Sequence, residues 1–169
     1  MEKKILIVCF SHFAGNTRNI ARRIRGALDG DLVELKMQTP YDDNYNEVLK
    51  RSRKEIKEGY LPPLKGVLPS IADYDVIAVG SPVWWLTMAP PLRTFLLGQD
   101  RAVWTGKIVI PFVTHGGFPG KALRHIEECC PGAQFMEEMA VRFDSRLGNQ
   151  MKTPAAQMEA WLKRCRDRI

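Results

Sequence analysis

Three short segments of this chain carry the residue types that could do chemistry. The first is Ser11-His12-Phe13-Ala14-Gly15-Asn16-Thr17-Arg18. It follows the apolar run Ile5–Phe10 and leads into Asn19-Ile20-Ala21-Arg22-Arg23-Ile24, which has helical periodicity. A turn of hydroxyl, amide and glycine residues between a buried strand and a helix start forms an anion cradle. Free backbone N–H groups and the positive end of the helix dipole point at one spot there, and the expected guest is a phosphate group. The second segment is Ser81-Pro82-Val83-Trp84-Trp85, and the third is Thr114-His115-Gly116-Gly117-Phe118-Pro119-Gly120. Two adjacent tryptophans after a Ser-Pro turn are hard to explain by packing alone. The third segment is glycine-rich, as needed where a flat ligand approaches the backbone closely.

The elements that position these segments alternate strictly between strand and helix. The apolar runs predict strands at Ile5–Phe10, Leu32–Lys36, Val76–Val79, Ile108–Val113 and Gln134–Arg142. Helices are expected at Asn16–Leu28, Tyr45–Glu58, Pro90–Leu97 and Lys121–Cys130, and a last one from Thr153, a predicted N-cap before Pro154. Leu61–Pro69 and the polar stretch 144–150 read as loops. Five strands with a helix after each specify a doubly wound parallel sheet with helices on both faces. Ligands in such sheets sit outside the carboxyl ends of the strands, where all three segments fall. With no repeat or linker, the chain reads as one domain over residues 1–169.

Composition narrows the function classes. Of 169 residues, 45% are hydrophobic and 26% charged, which suits a globular domain with a sizeable core. No apolar run approaches the ~18 residues of a membrane span, and Ile5–Phe10 is too short for the core of a signal peptide. Cys9, Cys129, Cys130 and Cys165 lack metal spacing and are expected as free thiols, which implies a reducing cytoplasmic compartment. The net charge of +6 comes from basic residues spread over several helices among acids. That reads as solvated helix faces, with no nucleic-acid footprint.

Spacing excludes several phosphate-handling folds. A dinucleotide loop needs Gly-x-Gly-x-x-Gly, but only Gly15 is present, and the Gly-Lys-Ser/Thr of a Walker loop is absent. A receiver domain needs acids where Ser11 and Gly80 stand. A low-molecular-weight tyrosine phosphatase needs an arginine six residues after its cysteine, and the residue six after Cys9 is Gly15.

The three segments together resemble the flavodoxin family, whose first loop runs Ser-x-x-Gly-Asn-Thr. The similarity runs from the first strand to the final helix. It is strongest to a flavodoxin-like subfamily marked by Ser-Pro-x-Trp-Trp and Thr-His-Gly-Gly, here 81–85 and 114–117. The resemblance implies a flavodoxin-like sheet of order 2-1-3-4-5 and FMN as cofactor. It implies cofactor contacts from Ser11, His12, Ala14, Gly15, Asn16 and Thr17, from Pro82, Val83, Trp84 and Trp85, and from Thr114, His115, Gly116 and Gly117. Trp84 or Trp85 would form a plate on the flavin face, with Thr87 and Met88 near the ring edge. Gly116 and Gly117 would present N–H groups to its pyrimidine end. The loop departs from the family pattern by one extra residue, and Ala14 stands where the family carries a hydroxyl. No residue is assigned a catalytic role, and His125 reads as structural.

Two activities follow from the resemblance. One is electron transfer with a redox partner protein or a small-molecule acceptor. The other is an FMN-dependent NAD(P)H:acceptor oxidoreductase of quinone type.

Overall fold

The structure is a computed structural model that describes residues 2–169. Its centre is a parallel sheet built on β1 (Ile5–Cys9), β2 (Asp31–Glu34), β3 (Val76–Trp84) and β5 (Ile108–His115). The strand order is β2-β1-β3-β5-β6, with β6 (Gln134–Phe135) at the far edge. A short strand β4 (Thr87–Met88) folds back antiparallel on β3, and β7 (Met139–Arg142) pairs with the second half of β5. Five positions across the sheet were expected and five are found, the last shared by β6 and β7, while β4 adds a seventh strand off this path.

Alternation along β1 builds two cores. Ile5, Ile7 and Cys9 face α1 (Asn16–Leu28) and α5 (Ala155–Arg168), packing with Ile20, Ile24 and Trp161. Leu6 and Val8 face the opposite layer of α2 (Tyr45–Glu58), α3 (Pro90–Leu97) and α4 (Ala122–Glu128), through Val48, Leu92 and Ile126. A strand covered on both faces must be apolar throughout, and all five residues of β1 are buried.

The fold corrects three sequence-based expectations. Ser81-Pro82 is not a turn: β3 continues through Trp84, with Ser81 and Pro82 in register with Val113 and Thr114. The expected strand Gln134–Arg142 is broken because Glu137 adopts a left-handed backbone (φ 51°). Its carboxylate is held by Arg164 at 2.8 Å and Arg168 at 2.6 Å, and its carbonyl accepts from the Trp161 indole N–H. Helix α5 therefore fixes this kink. Thr153 does not cap α5; its Oγ1 accepts from the Arg142 amide at 2.8 Å, and Pro154 takes the cap position.

A charged cluster ties α1 to the sheet edge. Arg18 donates to Glu34 through Nε and Nη2, each at 2.7 Å, and Lys36 Nζ lies 3.1 Å away. Burial alone would raise the Glu34 pKa. The bonds from Arg18 and Lys36 outweigh it and hold the carboxyl below its ordinary value. A folded pKa below the unfolded one means stability that is present above the ordinary carboxylate range and lost as pH falls through the folded value. Glu34→Gln is thus expected to be less stable than the parent at neutral pH, with the two converging as pH falls below the ordinary carboxylate range. Urea melts across that range check it.

Candidate functional site

The loop between β1 and α1 places two successive residues in the left-handed region, Ala14 at φ 56° and Gly15 at φ 68°. Glycine tolerates this freely, whereas alanine pays about 1–2 kcal/mol. The curl turns the start of α1 inward. Ser11 Oγ accepts from the Arg18 amide at 3.3 Å. Among the described residues, the backbone amides of 12–17 have no acceptor. Asn16 is only 7% exposed. Its Nδ2 donates to the Gly148 carbonyl at 2.7 Å, while its Oδ1 is a buried acceptor with no donor. Such an orphan costs about 1–3 kcal/mol unless a guest supplies the proton.

The two tryptophans occupy different environments. Trp84, at the end of β3, packs edge-on against Phe10 (5.6 Å between centroids) and Tyr41 (5.0 Å). Beneath it the Tyr41 hydroxyl donates to the buried Glu55 carboxylate, which also accepts from Arg51 at 2.8 Å. Trp85 stands at the tip of the β3–β4 hairpin. The paired residues Trp84 and Thr87 enclose a two-residue turn, Trp85-Leu86, with φ of 52° and 64°. Both φ values are positive, as in a type I′ turn, which normally takes Asn-Gly. Bulky residues in that conformation are strained and persist only where their surroundings hold them. Here the Trp85 indole N–H donates to Ser52 Oγ at 3.1 Å, and the Lys121 amide donates to the Leu86 carbonyl at 2.9 Å.

The third loop closes the site against a fourth segment. Thr114 Oγ1 lies 2.8 Å from Thr17 Oγ1, coupling the first and third loops. The Gly117 amide donates to His115 Nδ1 at 3.3 Å, which leaves the imidazole proton on Nε2. Burial, with Arg142 adding to it, pushes the His115 pKa down, so the ring is neutral at physiological pH. Loop 144–150 packs directly on Gly116, where a Cβ would meet the Arg146 amide nitrogen at 2.5 Å. Thr87 Oγ1 bonds His125 Nδ1 at 2.6 Å, which gives His125 the structural role expected of it.

These segments surround a crevice of about 280 Å³ at the carboxyl edge of the sheet. Of the expected site residues, His12, Asn16 and Thr17 line it, as do the segments 82–85 and 114–117. Ser11, Ala14 and Gly15 lie outside its walls, in the loop beyond one end. Thr87 and Met88 do not line it either. One wall was not anticipated: Tyr45, Val48, Leu49 and Ser52 of α2. Their i, i+3, i+4, i+7 spacing marks one helix face, which the sequence shows, but nothing in it separates a core face from a ligand face. Arg146, whose Nη1 donates to the Tyr45 hydroxyl at 3.2 Å, was also missed, since loop 144–150 carries no motif.

The donor set fits a phosphorylated flat ligand. Unengaged amides at a helix start suit a phosphate, and the orphaned Asn16 Oδ1 suits a hydroxyl on a polyol chain. Indole walls and a glycine-backed loop suit a planar ring.

Known proteins support the same assignment. A flavoprotein from Bacteroides uniformis is 27% identical, with 96% of this chain and 99% of that chain covered and a TM-score of 0.76. A flavoprotein from Lactobacillus acidophilus in complex with FMN is 27% identical, covering 82% of this chain and 92% of that one, with a TM-score of 0.69. An NADH:FMN oxidoreductase at 17% identity, 99% and 90% coverage and a TM-score of 0.59 shares the fold alone. No curated protein matches the chain. The family model described as Flavodoxin matches residues 4–162, so the chain belongs to the flavodoxin family, a family of FMN-binding proteins.

Proposed function

We propose that the chain binds FMN in this crevice and works as an electron-transfer protein. The observation that carries the reading is the pairing of an open amide cradle, holding the orphaned Asn16 Oδ1, with the two-indole wall. The amides of the first loop hold the phosphate, which explains why Ser11, Ala14 and Gly15 sit beyond the crevice. Asn16 and Thr17 face the ribityl chain. Trp84 and Trp85 flank the ring, Pro82 and Val83 shape the floor beside it, and Thr114, His115, Gly116 and Gly117 border its polar edge. FMN supplies the redox chemistry, taking up and releasing electrons. The protein orients it, excludes water from the indole side, and keeps the His115 Nε2 proton beside the ring.

The second reading, an FMN-dependent NAD(P)H:acceptor oxidoreductase, is favoured by Arg146 at the crevice wall, a cation within reach of an anionic hydride donor. Two measurements test both. Purified protein is expected to be yellow, or to gain a flavin spectrum on adding FMN; a colourless protein that never does would overturn the cofactor assignment. Mixing the loaded protein with NADH or NADPH in stopped flow is expected to leave the flavin band unbleached over minutes. Rapid bleaching would install the enzyme reading instead.

The charge of the chain bears on its potential. A net charge of +6 favours an anionic reduced flavin, where a strongly acidic protein would disfavour it. Potentiometric titration is expected to give a less negative low-potential couple than an acidic flavodoxin shows.

A further inference from the structure

Arg18 follows the cradle segment 12–17 directly and is no part of the crevice wall. Glu34 engages two of its three guanidinium nitrogens, Nε and Nη2, each at 2.7 Å. Because the guanidinium is planar and rigid, a two-point contact of this kind fixes the direction of the third nitrogen. Nη1 has no acceptor among the described residues, and it lies against the loop. Apart from chain neighbours, it is the one heavy atom within 4 Å of where a Gly15 Cβ would stand, at 3.3 Å. With no side chain at position 15, the tip of the guanidinium is open beside the unengaged amides.

The contact with Glu34 does not cancel this charge. Lys36 Nζ lies 3.1 Å from Glu34 Oε1, the oxygen that also accepts from Arg18 Nη2. Two cations share one carboxylate, so the trio keeps one net positive charge. Helix α1 adds to it, with four arginines and no acid. Asp42 is joined to the loop by the bond between its carbonyl and His12, but its carboxylate is turned to the Asn44 amide. A helix start attracts an anion through its amides and dipole alone, and a fixed cation beside it adds a charge-assisted donor. The loop is also one donor short of the family pattern, since Ala14 has no hydroxyl to offer.

We propose that Arg18 is a phosphate ligand of this cradle, its Nη1 donating to a phosphate oxygen, with Glu34 as the positioning residue that holds the guanidinium toward the loop. The proposal rests on the FMN reading above and deepens it. The cradle then selects a phosphomonoester by a fixed charge as well as by its amides. Tying α1 to the sheet edge needs only Nε and Nη2, and that role leaves Nη1 without a use. A hydrogen bond from a cation to an anionic oxygen is worth more than one between neutral groups, so its loss must show in affinity for the phosphate.

The test compares FMN with riboflavin, which has the same ring and ribityl chain and lacks the phosphate. In Arg18→Gln the Kd for FMN, read by fluorescence titration of the apoprotein, is expected to rise at least about tenfold. The Kd for riboflavin should stay within about twofold of the parent's. A merely structural role for Arg18 would weaken both ligands alike. An unchanged FMN affinity in the variant, or an equal loss for both ligands, would overturn the proposal. Should the variant not fold, the labelled parent decides. Its Arg18 guanidinium NMR signals are expected to shift on adding FMN and to hold still with riboflavin; a shift with both, or with neither, sinks the assignment. Failure of the FMN reading would show separately, as a parent that binds neither flavin. The same signals are then read against inorganic phosphate, where a shift supports Arg18 as a phosphate ligand and its absence rules that out.

Discussion

Gly116→Ala is expected to release FMN from a protein that still folds. An added Cβ would stand 2.5 Å from the Arg146 amide nitrogen and 2.6 Å from the Ser145 carbonyl carbon, both backbone atoms of the facing loop. Backbone cannot swing aside as a side-chain tip can, so the third loop and loop 144–150 must part. Both border the crevice, and the Gly148 carbonyl that anchors Asn16 belongs to the moving segment. Overpacking of this kind costs about 1–3 kcal/mol, which is roughly a 5- to 150-fold loss of affinity where the strain falls on the bound state. Fluorescence titration of the apoprotein with FMN measures it. Gly26→Ala is the control, since it lies in α1 outside the crevice with nothing within 4 Å of its Cβ position, and it should bind FMN nearly as the parent does.

Gly80→Ala is expected to damage stability first. Gly80 sits in mid-sheet on β3, in register with Cys9 on one side and Phe112 on the other. The Phe112 ring lies over it, and a Cβ there would meet ring carbons at 2.0 and 2.1 Å. Phe112 is itself fully buried among Ile7, Val141 and Met158, so its ring has no free space to enter. A cost at the upper end of overpacking, about 3 kcal/mol, lowers the melting temperature of a chain this size by roughly 6–12 °C. Thermal melts of the apoprotein test the effect without the cofactor. A companion Phe112→Leu substitution should recover part of the loss, because it removes the colliding ring edge.

The contrast between these glycines shows what could be read early. The amide of Gly116 is expected to face a ring; a second constraint on it, the close approach of the Arg146 backbone 30 positions later, comes from a loop without a motif. Gly80 gave no signal at all, because its partner Phe112 meets it only through pairing of β3 with β5. The same holds for the hairpin. Ser81-Pro82 reads as a turn from local chemistry, yet pairing with Val113 and Thr114 extends the strand, and the real turn falls on Trp85-Leu86. Local propensity names glycine, proline and asparagine as turn residues, so a turn made of tryptophan and leucine is invisible until its supports, Ser52 and Lys121, are in place.

The strand order came with the resemblance to flavodoxins; the linear chain was sufficient for the layered α/β architecture and the three loops that meet at the sheet's carboxyl edge. Those follow from period-2 and period-3.6 burial and from the handed crossover of parallel strands, which leave few alternatives. Folding alone decided that Trp84 belongs to an aromatic cluster while Trp85 stands at an exposed tip, that α2 forms a wall, and that Glu137 breaks the fifth strand to meet Arg164 and Arg168. Each of those depends on partners distant in sequence, and contact across such separations is fixed only by the packing of complete elements.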